Sequence, residues 1–332
     1  MRGGLPGRPS PVRSLLAALE ATDGTLRAGG SAAATIWPTG FTALDLHLDG
    51  GLRAGELTLL GGSQGLGKTT FVLQLARAAA VAGREVLYLC FEHREQDVVA
   101  RLLSMELGLL AGAEAVTASR VRRLLGPSAD DGGLVERLAV DPVAVQALAA
   151  VTSYAPRLHL ATVGGRRTTV DDLQELAAPL ARPLVVVDYL QKVRPRSALS
   201  DEAERVTEVV EGLKDLALQL DVPVLAVVAS DRSGLSGRTR LRDLRGSTAL
   251  AYEADVALLL NDKHAAVARH HLMYGATNAD SFHQWVVCSI EKNRSGADGV
   301  DLEFQKHFDH GHFDPHGQIV SEQLVDDRIH TA

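Results

Sequence analysis

The chain has 332 residues and is 46% hydrophobic, which allows one large α/β domain or two small ones with a sizeable core. Its 34 Lys and Arg residues against 41 Asp and Glu residues give a formal charge of −7, which excludes a globally basic nucleic-acid-binding surface. Cys90 and Cys288 lie in apolar runs without ligand-like spacing, so the sequence predicts core thiols rather than a disulfide framework or a zinc site.

The N-terminal segment, residues 1–36, is rich in Gly, Ala, Pro and Ser and is predicted to be a flexible arm with one short helix over 12–21. Its apolar stretch 15–19 is interrupted by Glu20 and is too short for a signal or transmembrane segment. The sequence therefore predicts a cytoplasmic protein without a membrane partner.

From residue 39 to about 313, apolar strand-like runs alternate with helical patterns. This alternation predicts a parallel sheet covered by helices on both faces. Residues 109–155 are predicted to be helical, and 317–332 are assigned to a C-terminal tail. Strands are predicted near 56–61, 85–91, 158–162, 184–188, 223–229 and 254–260, and two further runs, 285–291 and 300–304, are predicted to add a hairpin around the turn-rich segment 293–299.

A glycine-rich loop follows the first core strand. Residues 62–69 read GSQGLGKT, the phosphate-loop pattern of glycine, four free positions and Gly-Lys-Ser/Thr. Lys68 is expected to reach the β- and γ-phosphates of ATP, and Thr69 to offer its hydroxyl to Mg²⁺. An ordinary turn before a helix is the alternative, which the strand-loop-helix frame disfavours. The predicted nucleotide-binding residues are Gly62, Ser63, Gln64, Gly65, Leu66, Gly67, Lys68, Thr69 and Thr70.

Two carboxylates end neighbouring apolar strands. Asp188 closes the run 184–188, the form expected of the second magnesium-site element in a phosphate-loop enzyme. Glu92 follows the run 86–91 and is the candidate general base for the attacking water. Helix capping by Asp188 and a solvated loop around Glu92 are the alternatives, which the nearby phosphate loop disfavours.

Lys292 and Arg294 flank Asn293 at the start of the late hairpin. They are either ordinary exposed turn cations or a cationic finger that a neighbouring subunit receives at its γ-phosphate.

Two loops are locally basic. The segment 232–245 holds five arginines against one acid, and 192–196 holds three cations, which suits a contact along the backbone of single-stranded nucleic acid. A solvated charged loop is an equally good interpretation of the composition. The cations concerned are Lys192, Arg194, Arg196, Arg232, Arg238, Arg240, Arg242 and Arg245.

The C-terminal stretch also holds four histidines, His307, His310, His312 and His316. Cysteines and clustered acids that would complete a metal site are missing around them, so solvent-exposed histidines in a hairpin are expected.

In order and spacing, these motifs resemble the C-terminal RecA-like motor domain of DnaB-type replicative helicases over about residues 37–315. The segments concerned are 39–45, 50–56, 62–69, 188–191, 220–224, 243–245 and 292–294, and the DYLQ string at 188–191 is the most discriminating. The string KNRSG at 292–296 also resembles the RadA branch of recombination ATPases. The resemblance implies a RecA-like P-loop NTPase with a mostly parallel central sheet, flanking helices and a C-terminal antiparallel hairpin, with the domain expected over 37–316.

The resemblance also implies roles for individual residues. Lys68 and Thr69 would act on phosphate and Mg²⁺, Asp188 on the metal and Glu92 as the base. Lys292 and Arg294 would act on a neighbouring subunit, and Arg245 would lie near DNA. Self-association is implied as well, with a hexameric ring as the expected form.

Three departures from the family pattern limit what the resemblance implies. No counterpart of the family's N-terminal helical domain precedes residue 37, so primase recruitment and the usual collar do not carry over. Ala229 stands where the family usually has a glutamine that links the γ-phosphate to the DNA loops. Gly246 and Thr248 replace a typical Glu and Gly just after Arg245, which weakens the implied grip on DNA.

The sequence therefore predicts an ATP-hydrolysing, DnaB-like helicase or helicase-derived motor that binds Mg-ATP at subunit interfaces and single-stranded DNA through basic loops. A non-motor regulatory ATPase resembling KaiC is the alternative, because Ala229 disfavours coupling of hydrolysis to translocation.

Overall fold

A computed structural model describes residues 14–29, 35–126, 132–139, 141–162, 168–230, 238–267 and 279–325. The chain divides into two units, Met1–Thr35 and Ile36–Ala332.

The first unit contains helix α1 (Leu15–Arg27), which begins and ends later than the predicted helix over 12–21. The Ser14 hydroxyl caps it by accepting the Ala17 N–H at 3.1 Å. Leu15, Leu19 and Leu26 recur on one helical face and remain 78%, 58% and 54% exposed. The apolar face of α1 therefore has no cover within its own unit.

In the second unit the helices and strands alternate as predicted. The helices are α2 (Thr42–His47), α3 (Lys68–Val81), α4 (Glu95–Ala111), α5 (Ala118–Leu124), α6 (Leu134–Leu138), α7 (Pro142–Tyr154), α8 (Val170–Ala177), α9 (Glu202–Leu220), α10 (Ala249–Glu253) and α11 (Lys263–Ala266). The strands are β1 (Ile36–Trp37), β2 (Leu52–Arg53), β3 (Leu57–Gly62), β4 (Val86–Cys90), β5 (Leu158–Thr162), β6 (Leu184–Asp188), β7 (Val224–Val227), β8 (Val256–Asp262), β9 (Trp285–Asn293), β10 (Val300–His307), β11 (His312–Phe313) and β12 (Gln318–Ile319).

The described residues form a main sheet in the order β11-β10-β9-β8-β3-β7-β6-β4-β5, with β12 paired to β10 and a separate pair of β1 and β2. Strands β8, β3, β7, β6, β4 and β5 run parallel, and β9 to β12 extend the sheet antiparallel. This arrangement confirms the predicted parallel core and the added hairpin. It also places the carboxyl ends of β3, β6, β4 and β7 at one edge, where ligands of open α/β sheets bind.

The sheet is buried on both faces, which explains why its strands are continuous apolar runs. Along β6, Leu184 and Val186 pack into the core cluster that includes α3, whereas Val185 and Val187 pack into the cluster on the opposite face that includes α9. Cys90 and Cys288 are buried free thiols, and burial raises the pKa of the Cys288 thiol to about 12, so both expected core positions are confirmed.

An aromatic cluster fixes α3 against the late strands. Phe41 stacks on Phe71 with centroids 4.1 Å apart, and Phe313 meets Phe71 edge-on at 5.6 Å. The buried Gln74 amide adds two hydrogen bonds of 2.9 Å, one to the Phe313 carbonyl and one from the Phe313 N–H. These contacts hold the turn between β10 and β11 against the first turns of α3.

The expected exposure of the histidines in this turn is wrong for two of them. His310 and His312 are only 7% and 6% exposed, and the Nδ1 atoms of both have no hydrogen-bond partner among the described residues. They pack beside Gly108 of α4, where a Cβ would lie 2.5 Å from His312. His307 stacks on His312, and only His316 is exposed as expected. The close approach of α4, which the hairpin pattern does not reveal, causes this burial.

The segment assigned to a C-terminal tail partly packs on the second unit. β12 pairs with β10, and the Val325 N–H donates to the Ala266 carbonyl at 2.8 Å. Residues 326–332 lie outside the described ranges.

Candidate functional site

The phosphate loop connects β3 to α3 and depends on glycine at two crowded positions. Gly62 has φ +145, and a Cβ there would lie 2.5 Å from the Leu260 carbonyl oxygen on the neighbouring strand. Gly67 has φ +86, and a Cβ there would lie 2.6 Å from the Phe308 ring. Both left-handed positions are strained for other residues, so the loop can take this path only with glycine.

Lys68 opens α3 and points back across the loop. Its Nζ donates to the carbonyl oxygens of Gly62 and Ser63, both at 2.8 Å. Burial lowers the pKa of the Lys68 amine, while the carboxylates of Asp188 and Glu92 oppose that shift. The three groups therefore share one electrostatic environment, and the amine is positioned to exchange these carbonyls for phosphate oxygens.

Asp188 lies at the carboxyl end of β6, 6% exposed. The Tyr88 hydroxyl donates to Asp188 Oδ2 at 3.0 Å. Burial raises the pKa of the Asp188 carboxyl, and hydrogen bonds from Thr69 and Tyr88 oppose this. The Thr69 hydroxyl and the Asp188 carboxylate are hard oxygen donors, the type that Mg²⁺ prefers, so this pair fits the expected metal.

Glu92 is exposed and lines the same cleft of about 720 Å³ as Lys68, Thr69 and Asp188. Register explains the proximity, because Cys90 of β4 pairs with Asp188 of β6, and Glu92 follows two positions later. Most of the predicted nucleotide residues border this cleft, namely Gly62, Gln64, Gly65, Gly67, Lys68, Thr69 and Thr70. Leu66 is buried instead, and the Ser63 hydroxyl lies 3.3 Å from that of Thr239.

The cleft also contains residues that the motif analysis missed. Arg101 and Ser104 project from α4, and the Arg101 guanidinium lies 3.3 Å from the His93 ring nitrogen. Phe308, 41% exposed, stands over Gly67 at the mouth of the cleft. Arg101 and Ser104, one helical turn apart, give only a weak sequence signal, and nothing around Phe308 marks it, because the β10–β11 turn reaches the phosphate loop only in the fold.

A second, smaller pocket of about 300 Å³ adjoins the cleft and contains several predicted DNA-contact residues. Arg194 and Arg245 line it together with Lys192 and Arg205. Arg194 and Arg242 are exposed. Arg232 lies outside the described residues.

Four of the predicted DNA-contact arginines pair with acids in this structure. Arg238 is the most buried, at 7% exposed, and it donates to the Ser289 hydroxyl at 2.7 Å as well as to its acid. These carboxylates neutralise cations that were expected to meet phosphates. The pairs are Arg196–Asp171, Arg238–Asp301, Arg240–Glu291 at 3.0 Å and Arg245–Glu202 at 2.8 Å.

Lys292 and Arg294 lie at the opposite edge of the sheet from the phosphate loop. Asn293 pairs with Val256 at the start of β8, whereas Gly62 at the end of β3 pairs with Leu260. Lys292 Nζ donates to the Ala251 carbonyl at 2.7 Å, and the Arg294 guanidinium contacts Asp255 at 3.4 Å. The structure therefore does not bring these two cations to the nucleotide cleft of their own chain.

One group of metal-type side chains lies outside the cleft. Asp262, His264 and His283 place one ligand atom each within 4.8 Å of the others. The two imidazoles are stacked at 4.0 Å and 20°, so their in-plane lone pairs do not converge on one point. Lys306 Nζ also contacts Asp262 Oδ2 at 3.1 Å. We assign no metal to this group.

Within the described ranges, no helix is long and apolar enough to cross a bilayer.

Comparison with known proteins gives a family match. The family model for the DnaB-like helicase C-terminal domain matches residues 37–312. The chain is 27% identical over 276 residues to the replicative DNA helicase DnaB of Treponema pallidum (strain Nichols), covering 81% of this chain and 54% of that protein. It is 26% identical over 282 residues to the replicative DNA helicase DnaB of Geobacillus stearothermophilus, covering 82% and 55%. The chain thus spans about half the length of these curated relatives.

Solved structures share the fold. The ATPase domain of G40P matches with a TM-score of 0.68 at 20% identity, covering 90% of this chain and 98% of that one. A DnaB-like replicative helicase described with its interactions with primase also matches at 0.68 and 20%, covering 90% of this chain and 68% of that one. At this identity they establish the RecA-like α/β architecture of DnaB-type ATPase domains.

Proposed function

We propose that this chain, which belongs to the family of DnaB-like helicase C-terminal domains, is an ATP-hydrolysing motor that acts on single-stranded DNA. The observation that carries this proposal is the cleft that gathers Lys68, Thr69, Asp188 and Glu92 beside a basic pocket. The family match favours this motor over the regulatory alternative.

The four cleft residues divide the work of phosphoryl transfer. The Lys68 amine leaves the carbonyls of Gly62 and Ser63 to bind phosphate oxygens, where it offsets negative charge that develops in the transition state. Thr69 and Asp188 would hold Mg²⁺, which when bound neutralises charge on the phosphates. The Glu92 carboxylate, exposed to the cleft, accepts a proton from the attacking water.

Binding of single-stranded DNA is proposed at the basic pocket and at the exposed arginines near it. Arg194 and Arg245 line this pocket, and Arg242 is exposed nearby. Because Arg245 pairs with Glu202 and Arg196 with Asp171, the phosphates of DNA would have to displace carboxylates before they gain these contacts. Such exchange makes affinity strongly dependent on salt.

The nucleotide site is tested by two substitutions and their matched controls. Lys68→Ala should nearly abolish ATPase turnover, because electrostatic stabilisation supplies most of the catalysis. Arg120→Ala, which removes an exposed cation of α5 outside the cleft, should retain turnover. Wild-type turnover in the Lys68→Ala protein would rule out the assigned site.

Glu92→Gln should retain ATP binding and lose hydrolysis, because the amide keeps the shape of the carboxylate but cannot accept the proton. Glu175→Gln, on the exposed face of α8, is the control for loss of one carboxylate. Nucleotide titration and single-turnover hydrolysis separate the two effects. Equal loss of binding and turnover would make Glu92 structural.

A further inference from the structure

Gln191 bridges two segments that end at different parts of the sheet. It lies in the turn Leu190–Lys192 that follows β6, three positions after Asp188. Its Oε1 accepts the Ala229 N–H at 3.2 Å, and its Nε2 donates to the Arg245 carbonyl at 3.1 Å. One side-chain amide therefore joins the end of β7 to the arginine segment.

The two groups that Gln191 joins border both cavities. Ala229 and Arg245 line the nucleotide cleft and also the basic pocket, and Gln191 lines the basic pocket. A direct backbone bond reinforces the link, because the Arg245 N–H donates to the Ala229 carbonyl at 2.9 Å. A shift of the chain at 229 would therefore move Arg245 by two routes, the backbone bond and the Gln191 amide.

Ala229 makes the bridge necessary for any signal that starts at phosphate. An alanine side chain forms no hydrogen bond to a phosphate oxygen, so residue 229 can respond to the nucleotide only through its backbone. That backbone N–H is the group that Gln191 Oε1 accepts.

We propose that Gln191 is the positioning residue that transmits the nucleotide state of the cleft to the Arg245 segment. The proposal rests on the proposed function, since it takes the cleft as a nucleotide site and the basic pocket as its responding surface. Glutamine suits the position because one amide supplies an acceptor and a donor together, whereas glutamate keeps only the acceptor and leucine keeps neither.

Movement of Arg245 would have a direct consequence for anion binding. Its guanidinium is half-exposed and held by Glu202 on α9 through contacts of 2.8 and 3.1 Å. A displacement of its backbone lengthens these contacts and frees the cation for phosphate, so nucleotide binding would change DNA affinity and DNA binding would change nucleotide affinity by the same factor.

The test compares Gln191→Leu and Gln191→Glu with wild type and with Gln219→Leu, a control at an exposed glutamine of α9. Amide hydrogen exchange over residues 241–247 is measured without DNA, with and without a saturating non-hydrolysable ATP analogue and Mg²⁺. Analogue affinity is titrated for each protein so that all are compared when saturated. In parallel, the affinity for a labelled oligothymidylate is measured in both nucleotide states.

We expect the analogue to change exchange in wild type and Gln219→Leu, and this change to be lost in Gln191→Leu and reduced in Gln191→Glu. The ratio of DNA affinities with and without analogue should fall roughly fivefold in Gln191→Leu, the factor that one neutral hydrogen bond contributes. An identical nucleotide-dependent change in Gln191→Leu and wild type, or no change in wild type, would overturn the proposal.

Failure of the proposed function gives a different result. In that case the wild-type protein does not bind the analogue or the oligothymidylate. A wild type that binds analogue but not DNA leaves the exchange measurement to decide the role of Gln191.

Discussion

Two of the arginines proposed for DNA contact lie in different environments although they are close in sequence. Arg238 is buried and pairs with Asp301, whereas Arg242 is exposed in the turn Leu241–Asp243. Removing one partner of a buried ion pair is strongly destabilising, while a surface cation contributes little to folding. The same residue type is therefore expected to serve folding at 238 and ligand contact at 242.

Arg238→Ala should lower the free energy of unfolding by about 3 kcal/mol, because Asp301 would lose its partner while remaining mostly buried. Arg242→Ala should change that free energy by less than about 0.5 kcal/mol. It should instead reduce the salt slope of single-stranded DNA binding by roughly 0.7, the value for one phosphate contact. Denaturant unfolding and DNA titrations at several salt concentrations measure the two effects, and equal destabilisation by both variants would contradict the distinction.

His312 is expected to make stability depend on pH. Burial, with the neighbouring His307 and His310, lowers the pKa of the His312 imidazole from 6.5 to about 4. Between these values the unfolded chain binds more protons than the folded chain, so stability is fully present above about pH 6.5 and is lost as pH falls towards 4. The upper limit of this loss is about 3 kcal/mol.

His312→Phe should flatten this part of the stability profile, because phenylalanine fits an apolar slot and does not titrate. The control is His316→Phe, which alters an exposed histidine and should keep the wild-type profile. Chemical unfolding at about pH 7.5 and pH 5 gives the difference for each protein. A wild-type pH dependence in His312→Phe would exclude this imidazole as its source.

At the scale of elements, the parallel core was predictable because strands buried on both faces read as continuous apolar runs. The run 184–188 coincides with β6, and the positions of Asp188 and Glu92 follow from neighbouring strand ends. The phosphate loop was predictable because its chemistry requires glycines at fixed spacing.

The turn between β10 and β11 was not predictable in the same way. Its histidines look like surface residues because local sequence carries no record of the elements that cover them. Their burial depends on Gly108 of α4, and their position depends on Gln74 of α3. The pairing of Arg238 with Asp301 is likewise a contact between segments far apart in sequence.

Helix α1 presents a leucine face that its own unit leaves exposed, and we expect this face to pack on another copy of the chain. The double change Leu19→Lys and Leu26→Lys should weaken self-association, because each lysine would bring a charge into an apolar contact. The control places the same charges on the opposite face, as Ala17→Lys and Ala21→Lys. Sedimentation over a range of concentrations measures assembly, and equal effects of the two pairs would show that this leucine face is not an interface.

At the scale of the whole molecule, the topology separates the two groups of residues proposed for catalysis. The phosphate loop lies at the carboxyl end of β3, while Arg294 follows β9 at the edge where β8 begins. Six residues of β3 span roughly 20 Å at about 3.3 Å per residue, beyond the reach of an arginine side chain. Arg294 can therefore contribute to hydrolysis only at the cleft of another copy.

Arg294→Ala should lower ATPase turnover by up to roughly 10³- to 10⁵-fold, the range for a withdrawn arginine finger. Its present contacts, to Asp255 and the Tyr252 carbonyl, leave the side chain 51% exposed and able to be shared with a neighbour. Mixing Arg294→Ala with Lys68→Ala protein should restore turnover above either variant alone, because a mixed interface combines one intact phosphate loop with one intact finger. Arg84→Ala protein mixed with Lys68→Ala gives the activity expected from simple dilution. If mixed oligomers are shown to form and turnover stays at the level of the two inactive variants, catalysis does not use Arg294 across the interface.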